Sequence, residues 1–310
     1  WGVSACTLAH RCHQAPHVMS EPCKASAVIC TLDRGPKIDL TIQSLLAQDL
    51  APETFEIVII DNGSRPENAK ALEIWSETGR VRYLREEVLG ESAARNCALR
   101  EAHGEIIAFI DDDAMASPDW LRTIVEAFDL DPKLGVLGGR VRLRYEVPPP
   151  DWIDTSLELY LSAFDPSPDR CRLSYMEYPR GANMAFRTAV FEVAGFFSER
   201  FGRKGSCLLS CSETEMCYRI EEAGWGIGYL PQAMVDHLVP GQRMERQWFA
   251  ERIYWQGRSV GLLELTHFGR LHLLKRMPGQ IWKWLRKGAP HCRLHSGYLA
   301  VLPRVFMPMR

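Results

Sequence analysis

The feature that most constrains the fold is an alternation of short apolar runs with helix-like segments in the first half of the chain. The apolar runs predict buried strands and cover residues 25–31, 55–60, 81–84 and 105–110. Segments with helical spacing lie between them, at residues 39–49, 67–77 and 92–102. Because the connections are short, this order predicts an α/β fold with a doubly wound, Rossmann-like, mostly parallel sheet that helices flank.

The second half of the chain continues the pattern less regularly. Strands are predicted at residues 135–144, 226–230 and 234–237, and helices at 120–128, 189–194 and 214–223. Residues 146–169 are rich in Pro and Asp and are expected to be loop-like. We therefore expect a tail at residues 1–24, an α/β domain at 25–240 and a basic, Trp-rich helical segment at 241–310.

The charge and cysteine content argue against several classes of protein. Lys and Arg number 37 against 39 Asp and Glu, a net charge of −2, so nucleic acid is not an expected partner. The ten cysteines form no CxxC pair and are interpreted as reduced thiols of a cytosolic protein, with disulfides in an exported protein as the alternative. We find no apolar run of about 18 residues and no signal-peptide pattern.

Three consecutive carboxylates, Asp111, Asp112 and Asp113, follow the predicted strand at 105–110. They would repel one another unless they share a cation or a hydrogen-bonding ligand. Hard divalent cations take carboxylate oxygens together with substrate phosphates. We expect Asp113 to bind a metal ion and Asp112 to accept hydrogen bonds from a ribose. The alternative is a solvated acidic turn that caps the helix starting near Ser117.

Other polar residues are expected at the same edge, where ligands bind in open α/β sheets. Thr31 and Asp33 follow the first strand, and Asp61 ends the second. Asp61 can accept the N–H of a pyrimidine base, or it can be an ordinary turn residue. Arg95 is a natural bidentate partner for a diphosphate, or a helix-surface arginine.

Two residues in the second half of the chain are candidates for chemistry. Glu213 is a candidate general base for an acceptor hydroxyl, or a first-turn carboxylate that complements a helix dipole. Glu215 and Arg219 have the spacing of an exposed ion pair. His237 ends a predicted strand and is a candidate metal ligand, or a hydrogen-bonded structural histidine.

Several segments, in their order, resemble the inverting family 2 glycosyltransferases of GT-A fold. They span about residues 25–239 and read AVICTLDR, IVIIDNGS, GESAARNCAL, FIDDDA, RGANMAFR, SETEMCYRI and PQAMVDH. The resemblance implies a nucleotide-sugar donor, with a UDP-sugar as the first expectation, and a carbohydrate or lipid-linked acceptor. It implies a single displacement that inverts the anomeric carbon.

The resemblance also implies a role for each residue singled out above. The donor is assigned to Thr31, Asp33, Asp61, Arg95 and Asp112, a divalent Mn²⁺ or Mg²⁺ to Asp113 and His237, and the catalytic base to Glu213. The sequence departs from the family at two positions. Ser212-Glu213 stands where the family often has Glu-Asp, and Asp33 stands where it often has Asn.

The C-terminal segment differs in charge from the rest of the chain. Residues 243–310 hold 13 Lys and Arg against 3 Asp and Glu, together with the tryptophans Trp248, Trp255, Trp282 and Trp284. Basic residues with Trp on helices suit a membrane interface. We hypothesise that this segment docks the protein on the inner face of an anionic membrane, near its acceptor. The alternative is a helical cap that packs its tryptophans on the α/β domain.

Two rival functions remain open from the sequence. A sugar-phosphate nucleotidyltransferase usually needs a Gly-rich, basic phosphate loop after the first strand, and residues 30–36 (CTLDRGP) offer little of it. A non-catalytic carbohydrate-binding or scaffold protein of the same fold is favoured by Ser212. The acidic residues Asp112, Asp113 and Glu213 argue against that scaffold.

Overall fold

One mixed sheet organises the residues that the computed structural model describes, 23–286 and 292–302. Within these ranges nine strands lie in the order β3-β2-β1-β4-β8-β6-β9-β5, with β7 paired to β9. The strands are β1 (Ala25–Thr31), β2 (Phe55–Asp61), β3 (Val81–Arg85), β4 (Ile106–Asp111), β5 (Ala114–Ala116), β6 (Leu134–Tyr145), β7 (Cys171–Leu173), β8 (Asn183–Arg187) and β9 (Gly226–Val239). Nearly all of the tail predicted at residues 1–24 lies outside the described residues.

The first four strands run parallel to one another, and each antiparallel pair of the described sheet includes a later strand. β1 pairs with β2 and β4, and β2 pairs with β3, all in parallel. β8 is antiparallel to β4 and β6, whereas β6 and β9 are parallel. The carboxyl ends of β1, β2 and β4 therefore meet at one edge of the sheet. The predicted α/β fold is confirmed.

Helices connect and flank the strands. They are α1 (Asp39–Leu46), α2 (Pro66–Ser76), α3 (Glu91–Glu101), α4 (Trp120–Leu130), α5 (Thr155–Glu158), α6 (Val190–Ala194), α7 (Ser212–Glu222), α8 (Arg246–Arg286) and α9 (Cys292–Leu299). Every predicted helix is present with small shifts of its ends. α2 begins with proline at its first position, where the missing N–H costs no helical hydrogen bond.

The central strands are apolar along their whole length because both of their faces are covered. Every residue of β2 is buried, and the same holds for β1 except the partly buried Cys30. This is the pattern expected of a parallel strand between two layers of helices. Trp120 of α4 is fully buried, and its indole Nε1 donates to Asn183 Oδ1 of β8 at 2.9 Å.

Two sequence expectations need correction. The strands predicted at 226–230 and 234–237 form one strand, β9, whose pairing with β6 shifts register around Pro231. Proline has no N–H for the ladder, so an irregularity at that point keeps the strand continuous. Residues 146–169 are not wholly loop-like. They contain α5, which Asp154 caps by accepting from the N–H groups of Ser156 and Leu157.

The C-terminal helices pack closely on the rest of the chain. Phe249 and Ile253 of α8 lie in one apolar cluster with Leu157 and Leu161. α8 bends at Gly269, where φ is 78°. In the part of the chain that the structure describes, no helix is both long and apolar enough to span a membrane.

Glycines let α8 and α9 approach each other backbone to backbone. A Cβ atom on Gly257 would lie 1.8 Å from the carbonyl oxygen of Leu294. A Cβ on Gly297 would lie 1.9 Å from the carbonyl oxygen of Tyr254. Neither obstacle is a movable side chain, so any larger residue must push the helices apart.

Gly257→Ala should therefore destabilise the protein, while Gly279→Ala should not. Overpacking costs about 1–3 kcal/mol, which lowers the melting temperature by several degrees. Nothing lies within 4 Å of a Cβ on Gly279, and alanine favours helix there. Thermal unfolding followed by circular dichroism compares the two variants. Equal melting temperatures would contradict the close helix contact.

Candidate functional site

A cleft of about 720 Å³ opens at the carboxyl edge of the sheet. Its walls come from distant parts of the chain: the loops after β1 and β4, the start of α7, β9 and the first turns of α8. The predicted residues that line it are Thr31, Asp33, Asp112, Asp113, Glu213 and His237. Ligands of open α/β sheets bind at this edge.

Asp111, Asp113 and His237 form a cluster with the atoms and spacing of a metal site. One potential ligand atom from each lies within 4.8 Å of the others. His237 Nε2 is 3.2 Å from Asp113 Oδ1 and 4.0 Å from Asp111 Oδ2. The antiparallel pairing of β5 with β9 sets Ala114 opposite His237 and so brings the histidine to the acidic turn. Sequence reasoning did not name Asp111 as a ligand, although the Asp triplet contained the signal.

Two arginines hold the other carboxylate oxygens of this turn. Arg34 donates from Nε to Asp112 Oδ1 at 2.7 Å and from Nη2 to Asp113 Oδ2 at 2.6 Å. Arg243 donates from Nη2 to Asp113 Oδ2 at 3.2 Å. These contacts offset the repulsion between adjacent carboxylates. Sequence reasoning missed both arginines; Arg34 follows Asp33 directly, and Arg243 starts the basic segment.

The same contacts give Asp112 and Asp113 different pKa values. Burial raises the pKa of Asp112 to about 6, against the opposing charge of Arg34. Burial also acts to raise the pKa of Asp113, but the hydrogen bond with His237 and the charges of Arg34 and Arg243 outweigh it, so that pKa lies well below its usual range. Asp113 therefore favours the ionised form, which can bind a cation, more strongly than Asp112 does.

Thr31 ends β1, and Asp33 lies in the loop that follows it. Thr31 Oγ1 donates to Asp112 Oδ2 at 2.6 Å. Asp33 adopts a left-handed backbone conformation with φ of 57°. Its Oδ1 accepts from the N–H of Arg65 and from Asn68 Nδ2, both at 2.9 Å, which fixes the loop.

Asp61 does not line the cleft. Its carboxylate is fully buried and accepts from Ser64 N at 2.8 Å, Tyr83 Oη at 2.7 Å and Arg85 Nη1 at 2.9 Å. The next residue, Asn62, lines the cleft instead. Direct contact between Asp61 and a nucleoside base stays a prediction, because Ser64, Tyr83 and Arg85 already bind the buried carboxylate.

Arg95 also lies behind the cleft wall rather than in it. Its Nη2 is 2.6 Å from Glu91 Oε1, and its Nη1 donates to Ser212 Oγ at 2.7 Å. Nη1 is 3.8 Å from Glu213 Oε2, and Ser212 Oγ donates to the same oxygen at 3.1 Å. Arg95 thus orients Glu213 through Ser212, and the predicted contact between Arg95 and a diphosphate stays untested.

Helix α8 fixes the segment that precedes Glu213. Ser210 donates from its backbone N–H to Ser259 Oγ at 2.9 Å and from its hydroxyl to Gln256 Oε1 at 2.8 Å. Cys211 then takes a left-handed conformation with φ of 68°, directly before α7. Non-glycine residues hold this conformation only where their surroundings enforce it. The division predicted at residue 240 stays a prediction, and α8 is part of the cleft.

The pair between Glu215 and Arg219 is present, but it is not exposed as predicted. Arg219 Nη2 is 2.8 Å from Glu215 Oε2, and the Glu215 side chain is only 5% exposed. His267 of α8 covers it, with Nε2 3.3 Å from Glu215 Oε1. Glu215 is therefore a structural residue at the contact between α7 and α8.

Comparison with known proteins identifies the fold from structure and the family from sequence. A mannosyltransferase from Pyrobaculum calidifontis, solved in complex with GDP-Man and Mn²⁺, has a similar structure with a TM-score of 0.58 and 17% identity, over 92% of this chain and 82% of that one. Likeness at this identity shows the fold, which is GT-A.

Similar sequences identify the family. A glucosyl-dolichyl phosphate glucuronosyltransferase from Haloferax volcanii is 31% identical over 254 residues, 79% of this chain and 78% of that protein. Succinoglycan biosynthesis protein ExoM from Rhizobium meliloti is 27% identical over 248 residues, 76% of this chain and 73% of that protein. The sequence model of glycosyl transferase family 2 matches residues 26–201. This chain belongs to glycosyl transferase family 2 and is a glycosyltransferase of GT-A fold.

Proposed function

We propose that the protein transfers a sugar from a nucleoside-diphosphate sugar to an acceptor hydroxyl, with inversion at the anomeric carbon. A UDP-sugar is the first donor that we expect. A divalent cation, Mn²⁺ or Mg²⁺, takes part. The observation that carries the proposal is that one cleft holds both a candidate metal cluster, Asp111, Asp113 and His237, and a further carboxylate, Glu213 of α7. Family membership disfavours the nucleotidyltransferase, and the acidic residues Asp112, Asp113 and Glu213 in the cleft disfavour the scaffold.

The potential ligand atoms of the Asp111, Asp113 and His237 cluster suit the proposed metal ion. Carboxylate oxygens suit Mg²⁺ and Mn²⁺, and one imidazole nitrogen moves the preference toward Mn²⁺. When bound, the ion would supply positive charge for the diphosphate of the donor. Arg34 keeps Asp113 in place, and the pairing of β5 with β9 keeps His237 there. Thr31, Asp33 and Asp112 are the proposed donor contacts on the same wall.

The proposed chemistry assigns proton transfer and stabilisation of the leaving group to different side chains of the cleft. The Glu213 carboxylate accepts the proton of the acceptor hydroxyl. The acceptor oxygen bonds to the anomeric carbon as the bond from that carbon to the diphosphate oxygen breaks. The diphosphate leaves toward Arg34 and Arg243. Because attack and departure occur on opposite faces of the sugar, the configuration inverts.

Product stereochemistry tests this mechanism. The protein is incubated with each of a panel of UDP-, GDP- and dTDP-sugars, a divalent cation and candidate acceptors, and the anomeric configuration of the new bond is read by NMR. We expect the configuration opposite to that of the donor. A product with the donor's configuration would contradict a single displacement.

Glu213→Gln should abolish most turnover and leave nucleotide binding intact. General-base catalysis contributes about 10²- to 10⁴-fold, so kcat should fall by that factor. The matched control is Glu222→Gln, an exposed residue at the end of the same helix, which should keep wild-type turnover. Initial-rate kinetics on both variants, with nucleotide affinity measured in parallel, make the comparison. Wild-type kcat in Glu213→Gln would exclude it as the base.

The C-terminal end of α8 suggests where the acceptor is located. Trp248 packs on Phe249, as the cap interpretation predicts, but Trp282 and Trp284 are 56% and 44% exposed. Residues 265–286 include basic side chains and no Asp or Glu. Each cation near an anionic surface adds about 1 kcal/mol of attraction. We propose that this end docks on the cytoplasmic face of an anionic membrane and that the acceptor is lipid-linked, as the substrate named for the Haloferax relative is.

The paired substitution Trp282→Ala and Trp284→Ala should weaken membrane binding. In flotation with vesicles of phosphatidylglycerol and phosphatidylcholine, the wild type should rise with the vesicles and the variant should lose at least about fivefold of that fraction. Leu130→Ala, at an exposed apolar residue of α4, is the control and should float like the wild type. A wild type that stays at the bottom of the gradient would remove the docking proposal.

A further inference from the structure

Arg252 of the cleft lacks the acidic partner that Arg34 and Arg243 have. Arg252, in the first turns of α8, is partly buried and lines the cleft. Its Nη1 donates to Gln256 Oε1 at 3.1 Å and makes a long contact of 3.5 Å with Ser210 Oγ. Its Nε is buried and has no hydrogen-bond partner in the described ranges. By contrast, Arg34 and Arg243 both pair with Asp113.

Further cations without side-chain ion pairs line the cleft together with Arg252. Arg180, Arg203 and Lys204 line the same cleft, and none of them forms a side-chain ion pair with a carboxylate of the residues described. The Nε of Arg180 is also buried without a hydrogen-bond partner there. Burial and the charge of Arg203 lower the pKa of Arg252 to about 10. Glu213 and Glu91 act on Arg252 from a distance but form no ion pair with it, so this region is suited to receive an anion.

Arg252 lies beside the segment that leads to Glu213. Ser210, which it contacts, lies three residues before Glu213, and the charge of Glu213 acts on the Arg252 guanidinium. Arg243 instead lies on Asp113, where the donor diphosphate is proposed to sit. An anion at Arg252 is therefore next to the proposed base, where the acceptor enters.

We propose that Arg252, supported by Arg203 and Arg180, binds an anionic group of the acceptor close to the hydroxyl that Glu213 deprotonates. The acceptor is then an acidic sugar, either a glycosyl phosphate or a uronic acid glycoside. The planar guanidinium fork matches two oxygens of a phosphate or a carboxylate equally well. The assignment of the bound anion to the acceptor rests on the proposed function, but the existence of the anion subsite does not.

Calorimetric titration of the full chain tests the subsite with inorganic phosphate and with methyl glucuronide as probes. Each is added to protein with and without saturating UDP and Mg²⁺, so that the donor end is filled in one arm. We expect binding in both arms, and the stronger probe identifies phosphate or carboxylate as the preferred group. Arg252→Gln should weaken it at least about tenfold, the effect of losing a charge-assisted hydrogen bond. Arg252→Lys, which keeps the charge and loses the fork, should weaken it less.

The matched control is Arg258→Gln on the same helix, whose guanidinium stacks on Trp255 outside the cleft. It should bind both probes like the wild type. Should Arg252→Gln fail to fold, the exposed Arg203→Gln serves instead and should lower affinity at least about threefold. Absence of binding by both probes in the wild type would overturn the proposal.

A second outcome would also overturn it. If Arg252→Gln weakens binding of UDP alone as much as binding of the probes, Arg252 belongs to the donor diphosphate. Failure of the proposed function gives a different pattern, in which no nucleotide binds the wild type while the probes without nucleotide still depend on Arg252.

Discussion

The site depends on how the chain neutralises adjacent carboxylates at the end of β4. Arg34 bridges Asp112 and Asp113 at 2.7 and 2.6 Å, and His237 and Arg243 approach Asp113 from other elements, each at 3.2 Å. The partners come from the loop after β1, from β9 and from the turn before α8. The acidic turn thus ties three distant segments to one edge of the sheet. Without such partners the negative charges would destabilise the turn.

The proposed base is held from two sides, by α3 and by α8. From behind, Arg95 of α3 donates to Ser212, which donates to Glu213. From the C-terminal side, Gln256 of α8 holds Ser210 and thereby the left-handed residue before α7. Ser212 stands where the family often has an acidic residue. Its hydroxyl links the buried Arg95 to the proposed base, Glu213. This arrangement favours a catalytic protein over a scaffold that has only kept the fold.

Much of this architecture is predictable from local pattern, and the remainder depends on long-range packing. The apolar runs of the parallel strands, and the polar residues that follow them, predict the fold and place Asp113, Glu213 and His237 in one cleft. Arg252 carries no such signal, because its position depends on α8 packing beside Ser210, 42 residues earlier in the chain. The sequence suggests that the Asp61 carboxylate is available to a ligand. In the structure, the register of β3 beside β2 brings Tyr83 and Arg85 to that carboxylate.

Isothermal titration with nucleotide-sugars, with and without Mn²⁺, tests the central claim that the acidic cluster binds the donor through a metal ion. The account predicts that one nucleotide binds only with Mn²⁺, and that Asp113→Asn lowers this affinity at least about tenfold. Asp129→Asn, an exposed acidic residue of α4, should bind like the wild type. Equal affinity without metal, or unchanged metal-dependent affinity in Asp113→Asn, would contradict the account.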